Sequence, residues 1–148
     1  ENTPVLHQSV FIDVGTVSSL QAHNYRSNGS DLRLTARYEG NYLYTGIQDA
    51  GKTHGKGNIV FTIVVPKNNG GVRLRRRTDQ ASGQQKATVY VDGKLAGTWI
   101  DPQRNDILRW YDSEFEIPAS LTHNKSTLQI KLVVDSFNDF EYQVLTYD

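Results

Sequence analysis

The chain of 148 residues contains no cysteine, which excludes disulfide stapling, a thiolate metal site and a cysteine nucleophile. It contains no methionine either, not even at its start, and we read it as a mature or excised module of a longer chain. No apolar run approaches the roughly 18 residues a membrane-spanning helix needs, and no stretch has the make-up of a signal peptide. An excess of one charge is also missing, because Lys plus Arg and Asp plus Glu number 16 each. A neutral chain has no global field to draw in nucleic acid or an anionic membrane, so neither is expected as a partner. No window sustains a 3.6-residue hydrophobic period, which leaves little room for helix. No G-x-S-x-G, phosphate-loop or dinucleotide fingerprint occurs, and there is no internal repeat.

What is present is alternation. Hydrophobic residues make up 37% and charged residues 22%, a globular composition on the polar side, and the length suits a single domain over residues 1–148. Val10, Ile12 and Val14 share one face of a first strand that ends at Gly15. Residues 16–30 are polar and turn-rich and read as a loop. Residues 31–39 alternate, with Leu32, Leu34, Ala36 and Tyr38 inward. Residues 42–47 read as a short strand, the glycine-rich remainder up to Gly57 as an exposed loop, and 58–66 as a strand buried on both faces. Val72, Leu74 and Arg76 fall opposite Arg73, Arg75 and Arg77. Asp92-Gly93, between two alternating runs, is the strongest hairpin signal in the chain. Leu121 to Lys125 read as a turn, and two further strands place Leu128, Ile130 and Leu132, then Phe140, Tyr142 and Val144, on core faces. About nine or ten short strands with turns at regular spacing predict an all-β, antiparallel β-sandwich of jelly-roll type.

Several groups carry chemistry. Sugars stack their C–H faces on Trp and Tyr rings and offer hydroxyls to guanidinium and carboxylate groups. Trp99, Trp110 and Tyr111, with Arg109, Asp112 and Arg77, supply both kinds of group, and Tyr42 and Tyr44 sit in a glycine-rich region where packing explains them less well. The ordinary alternatives are a tryptophan that plugs the core and arginines that pair across strands. Arg76, on the inward side, needs a buried acceptor, for which Asp112 or Glu114 is in reach by sequence. Asp112, Glu114 and Glu116 share a face and make up the carboxylate set a glycosidase would need. The histidines are scattered without ligand spacing. Asp135 and Asp139, with Asn138, could offer oxygens to a structural calcium ion, as sandwich modules sometimes do.

The stretches GVRLRRRTDQASGQQKATVYVDGKLAGTWIDP, LRWYDSEFEIPASLTHNKSTLQIKL and FNDFEYQVLTY, with FIDVG and AHNYRSNGS upstream, together resemble the carboxy-terminal jelly-roll portion of glycoside hydrolase family 172. That family, once grouped as a domain of unknown function, acts on furanosides through two glutamates that belong to its other, amino-terminal region. The resemblance therefore implies a carbohydrate-active context and a β-sandwich, and carries no catalytic residue onto this chain.

These readings converge on a non-catalytic carbohydrate-binding module of a secreted multidomain glycan-degrading enzyme. Its partners would be a polysaccharide or oligosaccharide and the catalytic domain of the parent chain. The alternatives are a glycosidase fragment or subunit of furanosidase type, using a carboxylate pair, and a β-sandwich assembly domain without a ligand.

Overall fold

In β8 (Thr127–Val134) every second residue, from Leu128 to Val134, is buried and every residue between is exposed. A strand with one wet face does this because successive side chains point to opposite sides of the sheet. The same rule builds the rest of the computed structural model, which describes residues 6–38, 47–79, 85–101 and 110–148; the side chains of 9, 30–50, 110 and 111 lie outside that description. In chain order the elements are β1 (Leu6–Asp13), α1 (Val17–Ala22), β2 (Arg26–Tyr38), β3 (Ile47–Val64), β4 (Val72–Asp79), β5 (Lys86–Val91) and β6 (Lys94–Ile100). Then follow β7 (Trp110–Ile117), α2 (Ala119–Thr122), β8, β9 (Phe137–Asp139) and β10 (Glu141–Tyr147).

Two antiparallel sheets result. The smaller has the order β1-β10-β4-β7, and the larger β2-β3-β8-β5-β6, with β9 pairing β3. Their inner faces meet in one core. Ile12, Leu74, Tyr142 and Val144 come from the smaller sheet, and Phe61, Val89, Trp99 and Leu132 from the larger. Phe61 and Tyr142 join the layers ring to ring, centroids 4.7 Å apart. This is the antiparallel jelly-roll sandwich that the alternation predicts.

The hairpin at Asp92-Gly93 forms as expected. Both residues have positive φ, 49° and 82°, the backbone of the two-residue turn that matches strand twist. Asp92 is further held by Lys125 Nζ at 2.7 Å and by the Gln129 amide at 2.9 Å.

Four local expectations are corrected. Residues 16–30 are not a loop throughout, since α1 occupies 17–22 and β2 begins at Arg26. Residues 48–57 are strand rather than exposed loop. The glycines there mark close approaches: a Cβ at Gly51 would run into the Asp139 carbonyl, and one at Gly57 into the Asn28 carbonyl. The apolar run after Asn58 is buried on one face only. Ile59, Phe61 and Ile63 are fully inside, whereas Val64 is 64% exposed. The expected turn at 121–125 begins as the last residues of the short helix α2.

Candidate functional site

Strand direction decides which connections share an end of the sandwich. β8 runs toward Val134, and its antiparallel neighbours β3 and β5 bring Gly57 and Ala87 to that end. Ile47, further back along β3, and Ile100, at the close of β6 opposite Lys86, lie there too. In the smaller sheet Asp79 closes β4 opposite Trp110, which opens β7. Gln85 Nε2 donates to the Asp79 carbonyl at 3.2 Å and so ties the two sheets at this point. The described residues break off at Asp79 and Asp101 and resume at Gln85 and Trp110 at this end.

Beneath that end lies a buried polar network. Arg76, wholly buried, donates through Nη2 to Asp101 and to Gln85 Oε1 at 3.3 Å. Asp101 also accepts from Ser113, whose hydroxyl takes the Trp99 Nε1 proton at 2.7 Å. Gln85 donates to Thr78 Oγ1 at 3.0 Å and accepts the Asn138 amide at 2.7 Å. Thr78 Oγ1 and the Asp79 amide both donate to Asn138 Oδ1, at 2.6 and 2.9 Å. Burial pulls the Arg76 guanidinium below its ordinary value and Asp101 opposes this, and an arginine so paired stays charged. Gln85 follows residues 80–84 and Asp101 precedes residues 102–109 in the chain, and the network holds both in place.

Of the residues expected to hold sugar, Trp99 is corrected: it is 1% exposed, packs 5.9 Å from Phe115 and has no face left for a ligand. Its place at the close of a hairpin strand facing the other sheet makes it a core plug. Arg77 and Asp112 do stand together, Nε to Oδ1 3.5 Å, with Glu141 3.7 Å from Arg77. They lie on the outer face of the smaller sheet, two residues below the Asp79–Trp110 pair. Trp110 and Tyr111 open β7 at the loop end, their side chains outside the described residues. Arg109, Tyr42 and Tyr44 fall in 102–109 and 39–46 and are likewise outside them.

The other outward arginines of β4 are in cross-strand pairs. Arg73 meets Glu116 at 2.5 Å and Arg75 meets Glu114 at 2.7 Å; the Glu116 hydrogen bond raises the Arg73 pKa. The buried acceptor of Arg76 is Asp101, not Asp112 or Glu114, because those two lie on the opposite face of β7.

The expected calcium donors do not converge. Asp135 is exposed, Asn138 belongs to the buried network, and Asp139 is fully buried. Both Asp139 oxygens are engaged inside, by Tyr25 OH at 2.6 Å, Tyr142 OH at 2.7 Å and His54 Nε2 at 2.7 Å. Among the described residues no three His, Cys, Asp or Glu side chains are grouped to hold a metal ion. Sequence reasoning missed this cluster, in which Tyr25 and Asp139 alone stand 114 residues apart in the chain.

No protein-family model matches the chain, and no curated protein does either. Solved structures do match. A family 35 carbohydrate-binding module from Paenibacillus barcinonensis superposes with a TM-score of 0.61 at 13% identity, over 92% of this chain and 98% of that one. A family 35 module from an environmental isolate gives 0.58 at 16% identity, over 92% of both chains. A carbohydrate-binding module of Cellvibrio mixtus lichenase 5A, solved with cellotriose, gives 0.56 at 14% identity, over 91% and 95%. At these identities the likeness is one of fold: this chain has the jelly-roll sandwich of such modules.

Proposed function

We propose that this chain is a non-catalytic carbohydrate-binding module of a secreted glycan-degrading enzyme, tethering polysaccharide near a catalytic domain of the same parent chain. The observation that carries the reading is the buried network of Arg76, Asp101, Gln85 and Asn138 at the end of the sandwich where Asp79 closes β4 and Trp110 opens β7. Trp110 and Tyr111 open β7 at that end, and Arg109, Tyr42 and Tyr44 are further candidates from the sequence. A rigid base is what a binding site needs, because groups already held in place lose less entropy on binding. Flat rings and forked donors suit saccharide, and tethering raises the effective substrate concentration for a linked enzyme. The shared fold with carbohydrate-binding modules supports the reading, as does the resemblance to the jelly-roll portion of glycoside hydrolase family 172. Against the glycosidase alternative, Asp112, Glu114 and Glu116 each face an arginine on an outer sheet face, the arrangement of a cross-strand ladder.

Affinity gels containing fructan, arabinan, β-glucan and an acidic exopolysaccharide test it. At least one glycan is expected to retard the chain, and Trp110→Ala to abolish the retardation at unchanged circular dichroism. Trp99→Phe, altered only in the core, keeps it. Unretarded migration on every glycan, or release of product from aryl furanosides, would overturn the proposal.

A further inference from the structure

The neutrality of the whole chain conceals an uneven distribution of charge between the two outer faces. On the smaller sheet, Arg73, Arg75 and Arg77 are matched by Asp112, Glu114, Glu116 and Glu141. The larger sheet differs. Gly57, Val134 and Ala87 form one row of its register, and the residues next to them, Lys56, Asp135 and Lys86, line one groove. The next outward row is Asn58, Val133 and Thr88, and the one after it Val60, Lys131 and Tyr90. Lys56, Lys86 and Lys131 are exposed, as is Arg26 opposite Val60 on β2. None of these four cations has a carboxylate partner among the described residues.

A groove of about 450 Å³ crosses this face, lined by Lys56, Gly57, Asn58, Lys86, Thr88 and Val133, with Val134 and Asp135 at its end. Its chemistry is layered. Val133 offers an aliphatic floor against which a sugar's C–H face can lie, and Asn58 and Thr88 offer an amide and a hydroxyl to ring hydroxyls. Lys56 and Lys86 flank Asp135, one strand to each side. Neighbouring strands lie about 4.8 Å apart, which places the two lysines on the order of 10 Å from each other. Asp135 offsets one of them, so that row is left with one positive charge, and Lys131 adds another two rows along.

We propose that this groove is a second saccharide subsite, distinct from the loop end, and that it takes a polysaccharide carrying carboxylates, that is, a uronate polymer. The inference rests on the reading of the chain as a sugar-binding module but uses different residues. Ammonium groups at the groove's sides reach carboxylates on different rings of one chain while the apolar floor and the neutral donors hold the rings between. A neutral glycan leaves the lysines hydrated and gains only the floor.

Affinity electrophoresis on polygalacturonate, on its methyl ester and on dextran sulfate tests it, with the intact chain, Lys56→Gln/Lys86→Gln and Trp110→Ala. Polygalacturonate is expected to retard the intact chain, with apparent affinity falling tenfold or more on esterification and again in the double lysine variant. Trp110→Ala should keep a measurable part of the retardation. Equal retardation by the methyl ester, or a double lysine variant that binds as well as the intact chain, would overturn the proposal. Equal binding to dextran sulfate would also overturn it, by reducing the effect to non-specific polyanion attraction. The two sites fail separately: lysine-dependent binding of polygalacturonate that Trp110→Ala leaves unchanged sinks the loop-end site alone, and Trp110-dependent binding of neutral glycans only sinks the groove alone.

Discussion

The guanidinium of Arg76 stacks on the ring of Phe137, its central carbon 3.6 Å from the ring centroid, with Trp99 5.2 Å away. Arg76 belongs to the smaller sheet and Phe137, Trp99 and Asp101 to the larger side of the sandwich. A charge thus acts as a cross-layer staple at the end where the loops depart. Its Nε and Nη1 meet no acceptor among the described residues. Stacking on the ring faces supplies part of what hydrogen bonds do not, because a desolvated cation over a ring gains on the order of 2 kcal/mol.

Removing that cation strands a buried carboxylate. Arg76→Leu should lower stability by about 3–5 kcal/mol, since Asp101 then lies in the core with Ser113 as its remaining donor. The double variant Arg76→Leu/Asp101→Leu should recover part of the loss, because no charge is left unpaired. Urea unfolding of the three proteins measures both, and a double variant less stable than Arg76→Leu would contradict the pairing.

The hairpin turn gives a stability that depends on pH. Partial burial would raise the Asp92 carboxyl, but the bonds from Lys125 and the Gln129 amide outweigh it and hold its pKa below the ordinary value. A carboxylate depressed in the fold stabilises above its unfolded pKa of about 3.9, and the contribution is lost as pH falls through the lower folded value. Asp92→Asn keeps a residue that tolerates positive φ and removes the charge. It should cost less than about 1 kcal/mol at pH 7, as expected for a partly exposed pair. Denaturation midpoints from pH 7 to pH 2 should show the difference shrinking toward acid, and a constant difference would refute the role of the charge.

Tyr142 predicts the opposite limb. Burial first, and the Asp139 carboxylate second, raise its hydroxyl pKa well above the ordinary value. A group raised in the fold stabilises fully below its unfolded pKa of about 10, and that contribution disappears as pH rises through the folded value. Tyr142→Phe should cost about 1–3 kcal/mol near neutrality by removing a donor from buried Asp139. Above about pH 10 its stability should then fall less steeply than that of the intact chain. Urea midpoints at pH 8 to 11 decide the matter, parallel slopes being the result that counts against it.

Much of the molecule was legible from spacing alone. Val72, Leu74 and Arg76 inward against Arg73, Arg75 and Arg77 outward is a statement about alternation, and the structure repeats it residue by residue. Asp112, Glu114 and Glu116 on one face followed from the same rule, and so did the hairpin at Asp92-Gly93. Gly51 and Gly57 misled, because a glycine admits a neighbouring backbone as readily as a turn, and composition does not tell these apart. Trp99 was ambiguous for a similar reason: a large ring at a strand end can serve a core or a ligand, and only the position of the facing sheet chooses.

Alternation along the chain specifies the layers, since a period of two fixes which side chains face inward wherever one side is wet. The partners come from the assembled sandwich: Asp101 for Arg76, Asp139 for Tyr25, Tyr142 and His54, and Lys56 with Lys86 on one groove. Those choices depend on which strands become neighbours. Neighbourhood in a sandwich is settled by pairing between segments far apart in the chain, which no local pattern encodes.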